Sequence, residues 1–212
     1  MKKIILTLAS AIIITGITLI SCKKSSVDSI EKTIDTNKST FNGENKNMHE
    51  MRIELTSFKI DVQKQLFNTL TASQKSLIWQ DKIKQVISEN EFSNYQVELL
   101  KELEGNISQE IYVVGSKAES NFKDVFHKEW IKKAKGQFNF DDLVNIVANL
   151  SDFKHNKGPI AGSGDRKDDC ECSIQSDWCM MSMTCKKDIC NDSAHGCGTI
   201  WTFSCKGMCR WN

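Results

Sequence analysis

The distribution of cysteines is the feature that most constrains how this chain can fold. The sequence has 212 residues and nine cysteines, and eight of these fall within residues 169–212. A segment this short buries little apolar surface, so it needs disulfides, a metal or a partner to hold one shape. We call residues 169–212 the cysteine-rich segment. Its cysteines are Cys170, Cys172, Cys179, Cys185, Cys190, Cys197, Cys205 and Cys209.

Two chemistries, disulfide formation and zinc binding, could organise these eight cysteines. Structural zinc sites usually place their ligands in close pairs such as C-x-x-C. The segment contains no such pair, and His195 is its only histidine. Export to an oxidising compartment, which the N-terminus of this chain indicates, also favours disulfide formation. We therefore predict four disulfides and no metal site, each disulfide contributing about 2–4 kcal/mol. Eight cysteines allow 105 connectivities, so the pairing stays open.

The N-terminus has the pattern of an export signal. A basic start at residues 1–3 precedes an apolar stretch over residues 4–20, which is typical of a secretory signal peptide. The sequence Leu-Ile-Ser-Cys at residues 19–22 resembles a bacterial lipobox, in which the cysteine is lipidated and becomes the mature N-terminus. An uncleaved anchor is the alternative, since bilayer-spanning helices need about 20 apolar residues. We predict a signal peptide over residues 1–21 and lipidation of Cys22.

These predictions define where the protein acts and which partners it meets. The export and signal-peptide processing machinery for lipoproteins would handle the chain, and the lipid on Cys22 would hold it on a membrane at the cell envelope, in the periplasm or at the cell surface. Residues 22–47 are rich in Lys, Ser, Thr and Asn and are predicted to form a flexible tether. Removal of Lys2 and Lys3 with the signal would lower the formal net charge from +1 to −1. This balance predicts no nucleic-acid binding.

Residues 48–153 are predicted to form a helical domain. Apolar residues recur at steps of three and four, which predicts amphipathic helices beginning with one that carries Met51, Leu55, Phe58, Val62, Leu66 and Leu70. Capping boxes begin at Thr71 and Ser93, a longer helix spans residues 117–135, and Asn139 caps the last helix. About 100 residues suffice for one bundle core. The predicted fold class is all-α: a small helical bundle, then a linker and a small disulfide-rich domain.

A linker over residues 154–168 joins the two parts. It contains the only proline of the chain, Pro159, and is rich in glycine. Exposed segments of this composition are preferred sites of proteolysis. Arg166 and Lys167 form a dibasic pair just before the first cysteine of the segment. They are a candidate processing site, and an uncut spacer is the alternative.

No pattern in the chain indicates catalysis. The sequence contains no Ser/His/Asp signature and no glycine-rich phosphate loop. His49, His127 and His155 are scattered without the spacing of metal ligands, and we expect them to be surface or helix residues. No base is placed beside a cysteine as nucleophilic catalysis requires. We predict no catalytic residues, no cofactor and no enzymatic activity.

Three tryptophans of the cysteine-rich segment are candidate target contacts, since rigid aromatic side chains are good interface anchors: Trp178, Trp201 and Trp211. The alternative is that they pack against the cystines. Residues 165–212 carry six Lys or Arg and seven Asp or Glu. A peptide that disrupts anionic membranes would be expected to be basic. An antibacterial role would therefore depend on the apolar surface or on docking to a receptor.

The cysteine pattern resembles a known family. The matching stretches are Cys170-Glu-Cys172-Ser, Ser176-Asp-Trp178-Cys179, Gly196-Cys197-Gly198-Thr-Ile-Trp201 and Cys205-Lys-Gly207-Met-Cys209. They resemble the fulvocin C-related bacteriocins of Bacteroidota and myxobacteria, exported precursors that end in an eight-cysteine segment. Residues 70–82 also look like a helix of that family.

The resemblance implies a bacteriocin-like exported lipoprotein. Its disulfide-stapled segment would be the antibacterial or target-binding part, acting on an unknown envelope target, with release of a C-terminal peptide as a further expectation. The alternative is a non-toxic lipoprotein that binds envelope components or has a structural role there.

Overall fold

The computed structural model describes residues 47–88, 92–154, 169–179 and 182–212. The signal peptide, Cys22, nearly all of the tether, His155, Arg166 and Lys167 lie outside these ranges, so the predictions made for them stay predictions. Among the described residues, no helix has the length and apolar character that crossing a bilayer requires.

The α-helices of the described chain lie between residues 48 and 147. Four helices follow one another as α1 Met48–Thr56, α2 Ile60–Thr69, α3 Ala72–Ser88 and α4 Asn94–Gly105. A 3₁₀ turn at Gln109–Tyr112 leads to α5 Lys117–Asn121, a π-helical turn Phe122–Phe126, α6 His127–Lys135 and finally α7 Phe140–Val147.

The predicted caps begin the helices where the sequence placed them. Gln74 N donates to Thr71 Oγ1 at 3.2 Å, and Thr71 N donates to Gln74 Oε1 at 3.0 Å, which is a reciprocal capping box. Ser93 and Gln96 form the same arrangement at the start of α4. These bonds satisfy backbone donors that the first turn of a helix leaves without partners.

The first predicted helix, which was expected to run from residue 51 to 70, is wrong in one respect. The chain turns at residues 57–59 and divides it into α1 and α2. Ser57 closes α1 by donating its backbone N and its Oγ to Glu54 O, at 3.1 and 2.7 Å. The turn lets both helices direct their buried residues, such as Met51 on α1 and Phe67 on α2, into one core.

The all-α prediction is wrong, because the cysteine-rich segment contains strands and the fold is mixed α/β. The described residues of the segment form four short strands: β1 Met183–Lys187, β2 Ser193–Cys197, β3 Phe203–Cys205 and β4 Gly207–Trp211. β1 pairs antiparallel with β4, and β2 with β3. Strands of three to five residues without alternating apolar positions cannot be recognised from the sequence pattern. The adjacent disulfides, and not a hydrophobic face, stabilise these strands.

The main hydrophobic core joins the helices to the cysteine-rich segment. Helical residues such as Trp79, Trp130 and Phe67 are buried together with Ile200 and Trp201. Trp201 meets Phe67 and Trp79 edge to face, with ring centroids 5.2 and 5.7 Å apart. Edge-to-face pairs add about 0.5–1.5 kcal/mol beyond area burial. The core therefore extends across the boundary predicted between the helical and the cysteine-rich parts.

Two buried cations fix the chain that leaves α7. The guanidinium of Arg52 donates to Asp81 Oδ2 at 2.6 Å, to Leu150 O at 2.7 Å and to Asp152 Oδ1 at 2.9 Å. Lys82 donates to Ser151 O. Buried charges require such partners to offset the loss of hydration. Arg52 of α1 and Lys82 of α3 therefore hold residues 150–152 in place.

Candidate functional site

The eight cysteines of the cysteine-rich segment form four disulfides, as predicted: Cys170–Cys190, Cys172–Cys185, Cys179–Cys209 and Cys197–Cys205. Their Cα atoms lie 5.1–5.8 Å apart, in the ordinary range for a disulfide. All four bonds lie within the segment. Among the described residues, the helices are therefore held to the segment by packing and hydrogen bonds, without a disulfide between the two parts.

The disulfides form two compact clusters. Cys170–Cys190 packs against Cys197–Cys205, and Cys172–Cys185 packs against Cys179–Cys209. In the second cluster the Sγ atoms of Cys172, Cys179 and Cys209 lie within 4.8 Å of one another. These sulfur atoms are consumed in disulfides and are not thiolates, which are the form that binds metals. The clusters act as the small cores of the segment.

Trp201 is placed in the interior, not on a binding surface. Its side chain is 1 % exposed, and its indole Nε1 donates to Ala148 O at 3.1 Å. The proposed role of Trp201 as a target contact is incompatible with this position, because the helices already cover the ring. Its role here is to anchor the segment to the helical core.

Trp178 and Trp211 are accessible to different degrees. Trp178 is half-buried: its Nε1 donates to Thr199 Oγ1 at 3.1 Å, and Lys135 Nζ lies 6.0 Å from its ring centroid. Trp211 lies on β4 opposite Met183 and is 66 % exposed. Of the three tryptophans, Trp211 is the one whose ring is free to meet a partner.

A buried polar network that the sequence analysis did not predict joins α6 to the cysteine-rich segment. His127 Nε2 lies 3.0 Å from Thr199 Oγ1 and 3.3 Å from Ser176 Oγ. Thr199 N donates to Ser176 Oγ at 2.9 Å. A serine beside a histidine can form a nucleophile and base pair. Here the hydroxyl of Ser176 is buried and already accepts a hydrogen bond from a backbone N–H, so the network stabilises the contact between α6 and the cysteine-rich segment.

His195 of β2 is the second buried histidine at the contact between the helices and the cysteine-rich segment. Its backbone O accepts from Asn68 Nδ2 at 2.9 Å, whereas its ring Nε2 is buried without a hydrogen-bond partner among the described residues. Burial, together with the charges of Lys75 and Lys123, lowers the pKa of His195 to about 4, and the charge of Glu119 opposes the shift. Burial also lowers the pKa of His127 to about 4, with Lys135 and Lys128 acting in the same direction.

The loop at residues 198–202 carries Trp201 into the core in an unfavourable backbone conformation. Ile200 and Trp201 have φ values of 46° and 53°. For non-glycine residues, above all a β-branched one, such values cost about 1–3 kcal/mol. Gly198 has φ 70°, and a Cβ there would lie 2.5 Å from Phe203 Cδ2. Tyr112 Oη donates to Ile200 O at 2.9 Å, so the helical part holds the loop in place.

A groove of about 190 Å³ lies between α2 and the cysteine-rich segment. Lys64 Nζ donates to Glu171 O at 3.0 Å and lies 3.8 Å from Cys197 Sγ. Burial lowers the pKa of Lys64 to about 8, and the charges of Glu171 and Asp61 oppose this. The groove is smaller than the roughly 300–1,000 Å³ of usual ligand pockets.

The chain matches no protein-family model, and comparison with curated proteins and with solved structures finds no significant similarity. The relation to fulvocin C-related bacteriocins thus stays a resemblance of motifs.

Proposed function

We propose that this protein is a bacteriocin-like exported lipoprotein, held at the cell envelope by a lipid on Cys22. Its cysteine-rich segment would be the antibacterial or target-binding part. The observation that carries this proposal is the segment itself, with four disulfides inside residues 170–209 and Trp211 displayed on β4. Several disulfides indicate an oxidising compartment outside the cytoplasm.

The segment works in place on its helical support in this proposal. A cut at Arg166-Lys167 would break one peptide bond, whereas Trp201, Ile200 and the His127 network would still hold the segment on the helices. Truncating a buried tryptophan typically costs about 3–5 kcal/mol, which gives the scale of that hold. Release of a free peptide therefore needs a step that breaks the shared core as well as a protease.

A second candidate function is a non-toxic lipoprotein that binds an envelope component or has a structural role there. The position of Trp201 favours it, because the segment shares a core with the helices and is built as part of one larger unit. Trp211 would again be the exposed aromatic anchor for recognition. The two candidates differ in whether binding inhibits growth.

The deciding experiment applies the oxidised, lipidated protein to a panel of related bacteria and measures growth inhibition and binding to envelope extracts. We expect inhibition that is lost after reduction and lowered in Trp211→Ala. Tyr95→Ala is a matched control, because Tyr95 is an exposed aromatic residue on α4 of the helical part, 46 % exposed. Intact mass of the preparation verifies the lipid on Cys22 and the loss of eight cysteine protons.

Two results would contradict the antibacterial proposal. Binding to envelope extracts without inhibition of any strain would select the second candidate. Equal inhibition by oxidised and fully reduced protein would show that the disulfide-stapled segment is not the active part.

A further inference from the structure

The contact between the helices and the cysteine-rich segment is closed without covalent bonds among the described residues, and it contains both of their buried histidines. His127 enters it from α6, and His195 enters it from β2. Their side chains are 5 % and 3 % exposed. An imidazole buried without an acidic partner is stable in its neutral form, because charging it there would require desolvation of a cation.

His195 is surrounded by groups that oppose its protonation. Its ring packs near Tyr112, with ring centroids 6.0 Å apart, and within the described chain Nε2 has no acceptor for a second proton. Lys75 of α3 and Lys123 of the π-helical turn contribute positive charge, and Lys64 of α2 packs beside the neighbouring Gly196. One acid, Glu119 of α5, acts in the opposite direction.

The carboxylate of Glu119 already accepts hydrogen bonds on both of its oxygens. Glu119 Oε1 accepts from Lys123 Nζ at 2.5 Å, and Glu119 Oε2 accepts from Gly115 N at 2.6 Å. It is therefore committed to neutralising a lysine and to closing a turn. The Glu119–Lys123 pair is close to neutral as a unit, so a proton on His195 would gain little compensation from it, and Lys75 would repel the new charge.

His127 faces neutral and positive groups. Thr199 and Ser176 of the cysteine-rich segment meet its Nε2, and the ring of Phe203 lies 4.9 Å away, centroid to centroid. Lys135 and Lys128 on its own helix both oppose its protonation. Lys123 Nζ lies 5.5 Å from the centroid of Phe203, and its charge is paired with Glu119.

We propose that this contact is an acid-sensitive latch: protonation of His127 and His195 undocks the cysteine-rich segment from the helices and exposes Ile200 and Trp201. The disulfides keep the segment itself folded during the change, because all four are internal to it. The backbone of residues 200 and 201 leaves its positive-φ conformation once Tyr112 and the core no longer hold it. The apolar loop then becomes exposed to solvent.

The direction and size of the pH effect follow from linkage. A histidine with a pKa of about 4 when docked and about 6.5 when exposed binds its proton more readily in the undocked state. Docking is therefore at full strength above pH 6.5, weakens as the pH falls, and reaches its minimum near pH 4. At pH 5 each histidine shifts the equilibrium by roughly 30-fold toward the undocked form.

The test measures hydrogen exchange of the oxidised protein at pH 7.5 and pH 5, corrected for the intrinsic rates. We expect the opening equilibrium of residues 199–203 to rise by about several hundred-fold at pH 5. The double variant His127→Gln/His195→Gln has no imidazole to protonate at the contact, and the amide introduced at position 127 can still bond Thr199. This variant is expected to lose the response to acid. His49→Gln is the matched control, because His49 lies on α1 with an exposed side chain.

Proton titration of the wild-type histidines by NMR gives a second measurement that depends on no variant. Native-state pKa values well below 6.5 for His127 and His195 support the latch, and values near 6.5 overturn it. Equal exchange of residues 199–203 at both pH values overturns it too, as does an acid response that persists in the double variant. The inference needs no antibacterial activity, so its failure and that of the growth assay can be told apart.

Discussion

The helical part and the cysteine-rich segment reach stability by different physical means. The helices bury large apolar side chains, with Trp79, Trp130 and Phe67 all fully enclosed. The segment has two cystine clusters and only short strands. Apolar burial contributes in proportion to the area removed from water, whereas disulfides mainly restrict the unfolded chain. A segment too small for its own core is thus held together by disulfides and shares the core of its neighbour.

Trp201 is where the two means of stabilisation meet. The Cys197–Cys205 disulfide and the β2–β3 pairing close the loop that carries it, and the helices enclose its ring. Removing the disulfides tests how far the helices depend on the segment. Removing the ring tests how far the two parts depend on each other.

Reduction of all four disulfides is expected to have the largest effect. Each bridge contributes about 2–4 kcal/mol, so the cysteine-rich segment loses its fold while the helices keep most of theirs. Hydrogen exchange measured with and without reductant checks this. Amides of β1 and β4 should lose protection, and those of α3 and α4 should retain it.

Simultaneous loss of protection in the helices would contradict this separation. It would mean that the segment and the helices unfold as one cooperative unit, and that the shared core matters more than the disulfides. As a control, treating the oxidised protein with a thiol-blocking reagent and no reductant should leave every amide unchanged.

Trp201→Ala is expected to have the next largest effect, a loss of about 3–5 kcal/mol in the free energy of unfolding. The change removes two edge-to-face ring contacts and leaves a cavity between the parts. Denaturant unfolding monitored by circular dichroism measures it. Trp211→Ala is the matched control, since an exposed ring should contribute within about 0.5 kcal/mol. Equal losses in the two variants would show that Trp201 does not hold the parts together.

The helical part could be predicted well because its signals are local. Spacing of apolar residues at three and four positions and the caps at Thr71, Ser93 and Asn139 are each readable within a few residues. The break at residues 57–59 was missed because the apolar period continues through it. Ser57 ends α1 through bonds to Glu54, and such a bond competes with helix continuation without altering the period.

The cysteine-rich segment could be predicted in its chemistry but not in its shape. Cysteine number, spacing and the export signal predicted disulfides, whereas the pairing and the strands depend on contacts between distant residues. The burial of Trp201 was expected only as the alternative to a target contact, with the cystines as its partners, whereas the rings of Phe67 and Trp79 enclose it. His127 carried a usable signal, since it lies three residues before Trp130 on the buried face of α6.

Ser93→Ala is expected to have the smallest effect and to remain within the helical part. The side chain of Ser93 accepts from Gln96 N, and Gln96 reaches back to Ser93 N at 2.8 Å. Losing such a cap costs about 1 kcal/mol, because a backbone donor of α4 loses its partner. Thermal unfolding should show a small decrease in Tm, and exchange in the cysteine-rich segment should not change.

Ser88→Ala, at the exposed last residue of α3, is the matched control and should change stability by less than about 0.5 kcal/mol. A larger loss that also increases exchange in β1 or β4 would mean that stability is shared across the whole fold, and would contradict the division between an apolar core and a stapled segment.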